Sequence, residues 1–369
     1  MNEDAGSTAL IPTASAATFV ATFAVMLAAI AALLLLDLFL ARIDRRESVA
    51  HAANLFADGQ SLLASHQPAV AEQRFASAVS IDHSSVTYAL ALAQARLDQG
   101  KIAEAEGTLR DLVERAENDG AVNLVMARTL LHSGRTEEAK AYYHRAIFGR
   151  WGADSVSRRQ EARFELIDLL ARQGSQRELL AEILPLDGTS PDSVALRARL
   201  AALFIVAGSP ARAVAAFRDV LRQDPTSADA YDGIGQGELA LGNFRRARAD
   251  FAEALRLQPG DTAVKARLAT TDSVITLDPA ARGIGSAERL SRSRKLLERT
   301  LAAAVQCGQA AAPLAGTARA LLGATVAATQ REAMTDSLVE TATSLWAARP
   351  SSCKTTDVPL RLLQGRLSQ

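Results

Sequence analysis

The chain has no net charge: its 369 residues carry 41 basic and 41 acidic side chains. That balance argues against a nucleic-acid partner, which calls for a basic excess or stripe. It argues equally against attachment to a membrane surface through a polybasic segment. Aromatic residues are scarce, at 5%, and prolines number 11, whereas Ala, Leu and Arg abound. These three are the best helix formers, so helix is favoured over strand. Two cysteines cannot build a disulfide framework or a four-cysteine zinc site. The five histidines, His51, His66, His83, His132 and His144, lack the spacing of metal ligands. The sequence contains no His-Glu-x-x-His pair, no phosphate loop and no Gly-x-Ser-x-Gly elbow. No catalytic residue, metal or cofactor is therefore expected, and the chain reads as a binding protein rather than an enzyme. With 49% apolar and 22% charged residues, it is not a disordered chain.

One long hydrophobic run lies near the start. Residues 16–36 hold 21 side chains, of which only Thr18 and Thr22 are polar. As a helix the run rises about 31 Å, enough to cross the hydrocarbon core of a bilayer. It is too long for a signal peptide, no Lys or Arg precedes it, and no small-x-small cleavage site follows. It reads as an uncleaved single-pass anchor over residues 16–40, behind an N-terminal tail of residues 1–15. Glu3 and Asp4 precede the run, and Arg42, Arg45 and Arg46 follow it. The positive-inside rule then places the bulk of the chain in the cytoplasm. Asp44 and Glu47 narrow that margin, and a periplasmic placement is the alternative. Ala17, Ala21, Ala24, Ala28 and Ala31 share one face of the anchor. Such a face admits a homodimer through the membrane helix, although an Ala-rich chain produces the same spacing unaided. Asp37 reads as a residue at the water interface.

The remainder has a period of 34. Gly100 and Gly134 are one period apart, as are Gly174, Gly208 and Gly242, with an insertion between the two sets near residues 148–152. Alignment on these glycines gives units starting at Ala52, Val86, Gly120, Gln160, Val194 and Ala228, each long enough for two helices. Position 20 of the unit holds Ala71, Ala105, Ala139, Leu179, Ala213 and Ala247. Position 24 holds Phe75, Leu109, Tyr143, Ile183, Phe217 and Phe251, and position 32 holds Pro191, Pro225 and Pro259. This pattern resembles the tetratricopeptide repeat over residues 52–260. The resemblance implies an all-α fold: an α-solenoid of helix pairs wound as a right-handed superhelix, behind the membrane helix. Small residues at positions 8 and 20 let two helices approach, and a large one at position 24 fills the gap beside the next unit. The fourth unit departs most, with Ile167 at position 8 and Leu179 at position 20, and the two sets of three units are expected to form two arrays joined by the insertion.

From Asp261 a degenerate helix continues the array, and after Asp278 the period is lost. Ser286 is placed to cap the next helix, whose apolar face is Leu290, Leu296, Leu297, Leu301 and Val305. Helical patterns follow at 314–329, 331–348 and 358–367. Residues 261–369 thus read as a helical cap over the open end of the solenoid, with a separate partner-binding module as the alternative. Arg289, Arg292, Arg294 and Lys295 form a basic cluster, but Glu288 and Glu298 stand four residues from Arg292 and Arg294, the pattern of a solvated helix face. The run Gly233-Ile234-Gly235-Gln236-Gly237 looks like a nucleotide-loop fragment, yet it falls inside a helix of the sixth unit and has no strand before it. Cys307 and Cys353 would form one disulfide if the tail lay outside the cytoplasm and would be free thiols within it.

In the tetratricopeptide family the first helices line a concave groove through positions 2, 5, 9, 12 and 13. The resemblance implies that a protein or peptide partner meets Phe56, Gln60, Leu63, Leu90, Gln94, Leu97, Leu124, Arg128 and Leu131 in the first half. In the second half it meets Glu161, Asp168, Arg172, Asp229, Asp232 and Gln236. The first set is the more apolar and the second the more acidic, which suits a peptide with an apolar anchor and a basic flank. Positions 5 and 12 also serve packing between units. Members that clamp a chaperone's C-terminal carboxylate use Lys and Asn where this chain has Phe56 and Gln60, so that partner is not implied. The expected function is a scaffold or adaptor in a bacterial-type inner membrane. The alternatives are a client-binding factor of envelope assembly or an accessory subunit of an envelope enzyme.

Overall fold

A computed structural model describes residues 16–152, 154–187, 193–309, 312–350, 352–353 and 355–368, with the backbone alone for 16–20 and 22. The expected tail 1–15, Pro191, and the side chains of Ala17, Thr18 and Thr22 lie outside the described residues. The first helix, α1, runs from Ala16 to Ala64 (Ala16–Ala64) without a break, so the apolar run and the first repeat helix are one rod about 74 Å long. It is the one helix among the described residues long and apolar enough to cross a membrane, and none of its apolar window is buried within the protein. Helix pairs follow: α2 (Pro68–Ile81), α3 (Val86–Asp98) and α4 (Ile102–Arg115), α5 (Gly120–His132) and α6 (Thr136–Phe148), α7 (Ser155–Gln173) and α8 (Gln176–Asp187). Then come α9 (Val194–Val206) and α10 (Pro210–Gln223), α11 (Ala228–Ala240) and α12 (Phe244–Leu257), and the single helix α13 (Thr262–Leu277). The tail supplies α14 (Ser286–Gln306), α15 (Pro313–Gly323), α16 (Arg331–Ala347) and α17 (Val358–Leu367).

The expected unit starts coincide with the first residues of α3, α5, α9 and α11, and α13 begins one further period on. Helix α7 starts earlier than expected, at Ser155 rather than Gln160. Each of these periodic first helices has a side-chain cap. Ser85, Asp119, Ser193, Ser227 and Asp261 accept hydrogen bonds from amides of the first turn. The first helices α3, α5, α7, α9 and α11 are each followed by a glycine with φ between 69° and 77°: Gly100, Gly134, Gly174, Gly208 and Gly242 have the left-handed backbone that position 15 requires. The second helices α10 and α12 stop just before Pro225 and Pro259.

Packing follows the repeat. All six position-20 residues and all six position-24 residues are buried. A Cβ added to Gly235, at position 8, would come within 2.6 Å of the Phe251 ring, so this helix pair closes more tightly than any side chain would permit. Gly233 and Gly237 are used in the same way against Phe217 and Val214, which accounts for the glycine run. Fully burying a ring such as Phe75 or Phe251 contributes about 2–3 kcal/mol.

The chain divides into two compact units, Met1–Leu166 and Ile167–Gln369, with the division inside α7. It falls beyond the insertion that was expected to part them. The reason lies in the insertion itself, which is zipped onto the first unit. The Gly120 amide donates to the Arg150 carbonyl (2.8 Å), the Arg150 amide to the Asn118 carbonyl (2.7 Å), and Trp151 Nε1 to the Ala146 carbonyl (2.8 Å). In the second unit, Phe244, Val274 and Leu277 of the repeat helices share one core with Leu296, Leu297, Leu338, Leu345, Leu360 and Leu363 of the tail. That shared core is the physical content of a cap.

Several details of the tail differ from expectation. Ser286 is the first residue of α14 and makes no cap; Gly285 occupies the cap position. Val305 is exposed, whereas Leu296 and Leu297 are buried and Leu290 and Leu301 pack beside them. The second pattern ends at Gly323, because the backbone of residues 324–327 is extended or irregular before a 3-10 turn at Ala328–Gln330. Glu288 pairs with Arg292 as expected (2.7 Å), but Arg294 bonds the Ala324 carbonyl (2.6 Å), so part of the basic cluster ties helices together. Cys307 and Cys353 are joined in a disulfide, with Cα atoms 5.8 Å apart, linking the end of α14 to the segment after α16.

Gly233→Ala is expected to lower stability by about 1–3 kcal/mol despite the better helix propensity of Ala. The added Cβ would lie 2.2 Å from the Phe217 ring. Urea denaturation monitored by circular dichroism measures the change, and a variant as stable as the parent would contradict this packing.

Candidate functional site

The first helices of successive pairs stand side by side, α3 against α5 in the first unit and α9 against α11 in the second. This row carries the residues expected to face a partner. In the first unit, Phe56 is half-buried, with its ring 5.7 Å from Phe75 and 5.1 Å from Tyr88. Leu63, Leu90 and Leu131 are also half-buried, each with part of its surface open to solvent. Gln60 is exposed, and Gln94 donates to Asp98 one turn further on (2.7 Å). Two of the expected groove residues are not available. Leu97 is 6% exposed and Leu124 is 3% exposed. These leucines, at positions 12 and 5, are covered within the protein and belong to its core.

The polar members of the row are largely engaged with one another. Arg128 of α5 donates to Glu161 (2.6 Å) and to both carboxylate oxygens of Glu165 on α7, and the Tyr143 hydroxyl donates to Glu165 (3.0 Å). Burial works against the charge of Arg128, but Glu165 and Glu161 outweigh it and hold the guanidinium firmly protonated. Burial likewise raises Glu161, and Arg128 with Arg158 more than offsets it, leaving that carboxyl below its usual range. In the second unit Asp168 accepts from Arg199 (2.7 Å), and Asp232 accepts from Arg267 (2.7 Å) and Gln236 (2.7 Å). The acidic character expected of the second half is therefore mostly neutralised; Asp229 and Arg172 are exposed. Sequence reading missed Glu165, Arg199 and Arg267. All three stand at position 6 of their units, 31–37 residues from an opposite charge, close to one repeat period.

A second polar cluster lies behind the row in the second unit. Glu238 of α11 is buried, accepting from Arg218 (3.0 Å) and from Asn243 Nδ2 (2.7 Å). Asp250 of α12 is pushed up to about 6, first by burial and then by the Glu238 carboxylate. Among the described residues no cluster of three or more His, Cys, Asp or Glu side chains is arranged to hold a metal ion.

The tetratricopeptide-repeat family matches residues 62–128 and 199–262. No curated protein matches the sequence significantly. Similar solved structures include the C-terminal part of a TPR repeat-containing protein from Cytophaga hutchinsonii, 13% identical, covering 66% of this chain and 94% of that one at a TM-score of 0.47. The type IV pilus biogenesis factor PilW is 17% identical, covering 59% of this chain and 98% of its own at a TM-score of 0.40. The TPR2AB domain of yeast Sti1, in a complex with an Hsp90 peptide, is 19% identical, covering 79% and 98% at a TM-score of 0.30. Likeness at this level carries no partner across.

Two measurements test the electrostatics. In a double-mutant cycle, Arg128→Ala and Glu165→Gln should couple by about 1–2 kcal/mol, read by chemical denaturation, and additive losses would mean that the pair is solvent-screened. For Asp250, the folded-state value of about 6 lies above the ordinary aspartate value of 3.8, so the ionised carboxylate costs stability at neutral pH. That cost is relieved as the pH falls through 6 towards 3.8. Asp250→Asn should therefore raise the Tm at pH 7 by about 2–4 °C, an advantage that vanishes near pH 4.

Proposed function

This chain belongs to the tetratricopeptide-repeat family, and from that premise we propose that it is a membrane-anchored adaptor that acts by binding a protein partner. The observation that carries the reading is α1, a single helix that holds both the apolar run and the first helix of the array. A run of this length suits a bilayer, and its described side chains have no partner surface within the protein. Because the helix does not break between membrane and repeats, the first pair would be held at a set height and tilt above the bilayer, with no flexible linker.

The repeat row of the first unit is where the partner would sit. Phe56, Leu63, Leu90 and Leu131 offer apolar surface that is only half covered, with Gln60 and Gln94 beside them. This suits an extended or helical peptide that inserts an apolar anchor. With Asp168 and Asp232 already paired, a basic flank on the peptide would find less to meet than the sequence suggests.

The disulfide favours one orientation. Such bonds persist in oxidising compartments and are rare in the cytoplasm. Three arginines, offset by Asp44 and Glu47, are a narrow basis for the opposite placement. We therefore assign the repeats to the outer side of the membrane, where the protein would bind clients during envelope assembly.

Leu90→Glu with Leu131→Glu should lower recovery of the partner from solubilised membranes by about tenfold at unchanged Tm. Leu97→Glu, in the core, should unfold the array instead. Unchanged recovery with both groove substitutions would remove the row as the binding surface. An impermeant protease added to intact spheroplasts should digest the repeats, and protection until lysis would return them to the cytoplasm.

A further inference from the structure

At the far end of the repeats, in the second unit, the turn between α11 and α12, the segment after α13 and the C-terminal helix α17 enclose a cleft of about 540 Å³. Four of its lining side chains are arginines, Arg245, Arg246, Arg282 and Arg366, and only one is an acid, Asp278. Asp278 is buried and already paired with Arg366, whose guanidinium also lies 5.0 Å from the centre of the Phe244 ring. The other three are exposed, and of them Arg246 alone meets a carboxylate among the described residues. Arg245 donates to the Arg282 carbonyl, Arg246 is 3.9 Å from Glu238, and among the described residues Arg245 and Arg282 have no carboxylate partner. Several arginines elsewhere in the chain are closely paired. Arg128, Arg199, Arg267 and Arg299 each meet a carboxylate at close range.

Four arginines lining one concavity with a single, already paired acid make its potential positive and favour an anion there. The neighbouring backbone adds to the field. The Asn243 side chain bonds Glu238 and does not cap α12, so the first amides of that helix, on the cleft wall, lack a side-chain acceptor. The floor is different in kind: Phe244, Ile275 and Ala281 are apolar, and Phe244 and Ala281 are buried. The volume falls in the range of small-molecule sites and far exceeds that of a bare ion.

We propose that this cleft binds a phosphate-bearing ligand. Its phosphate sits among Arg245, Arg246 and Arg282, and its small organic body lies against Phe244 and Ile275. A carboxylate presents two oxygens and one charge; a phosphate monoester presents three oxygens and nearly two charges, and so satisfies three guanidinium forks better. The phosphate has two potential sources, a lipid headgroup and a soluble phosphate ester, which share this chemistry.

The test is isothermal titration calorimetry of the full chain in neutral detergent micelles at low salt. The probes are inorganic phosphate, glycerol 3-phosphate and a short-chain phosphatidic acid. Saturable binding is expected, weakened about tenfold by Arg282→Gln and by Arg245→Gln and unaffected by Arg110→Gln, a paired arginine of the first unit. Both cleft side chains are exposed, so Tm should be unchanged, and should Arg245→Gln unfold, Arg282→Gln alone carries the comparison. Binding of phosphatidic acid alone assigns the phosphate to a lipid headgroup; binding of glycerol 3-phosphate assigns it to a soluble ester. Absence of saturable heat from all three probes up to about 10 mM, or binding undiminished in both cleft variants, overturns the proposal.

Discussion

A small residue on one helix opposite a large one on its partner is the contact from which the rest of this structure follows. Where Gly59 faces Phe75 and Gly235 faces Phe251, no Cβ would fit between the helices. The pair closes, the ring is buried, and the apolar surface left over has no cover within the pair. Only the next pair can supply that cover, which is why the architecture propagates along the chain and why its ends need special treatment. At the C-terminal end the treatment is visible. The tail folds its leucines into the same core as Val274 and Leu277, and a disulfide closes the tail upon itself.

The same side-by-side arrangement explains the charges. First helices of adjacent pairs bring residues one period apart within reach, so Arg128 finds Glu161 and Glu165, and Asp232 finds Arg267. These pairs are half-buried, where leaving one partner unmatched is costly. They join neighbouring pairs and at the same time remove charge from the surface that a partner would read. What remains for recognition in the first unit is mainly apolar. The cleft around Asp278 differs from this pattern, because Arg245 and Arg282 line it without a matching acid among the described residues.

The insertion shows how a departure from the repeat is absorbed. Its backbone hydrogen-bonds to the start of α5, and Trp151 occupies the space that a side chain at Gly120 would need. The first unit therefore extends past the insertion and into α7. Phe148, 77% exposed at its edge, is left without such cover.

By itself the sequence determined the helix pairs, their register, their turns and most of their core, because each depends on a local rule repeated at a fixed period. A glycine that must be left-handed, a proline that stops a helix and an alanine that must be small are all readable without knowing the neighbours. The caps Ser85, Asp119, Ser193, Ser227 and Asp261 stand one residue before each periodic first helix, a local signal that went unread, while the cap expected at Ser286 did not form. The tertiary structure decided what depends on distance between residues far apart in sequence. It buried Leu97 and Leu124 and left Leu90 and Leu131 half open, a distinction that position in the repeat does not encode because it depends on how closely the next pair approaches. It neutralised Asp168 and Asp232 with arginines from the following unit. It joined Cys307 to Cys353 and gathered Arg245, Arg282 and Arg366 around one cleft, since charge and thiol chemistry act through space while periodicity acts along the chain.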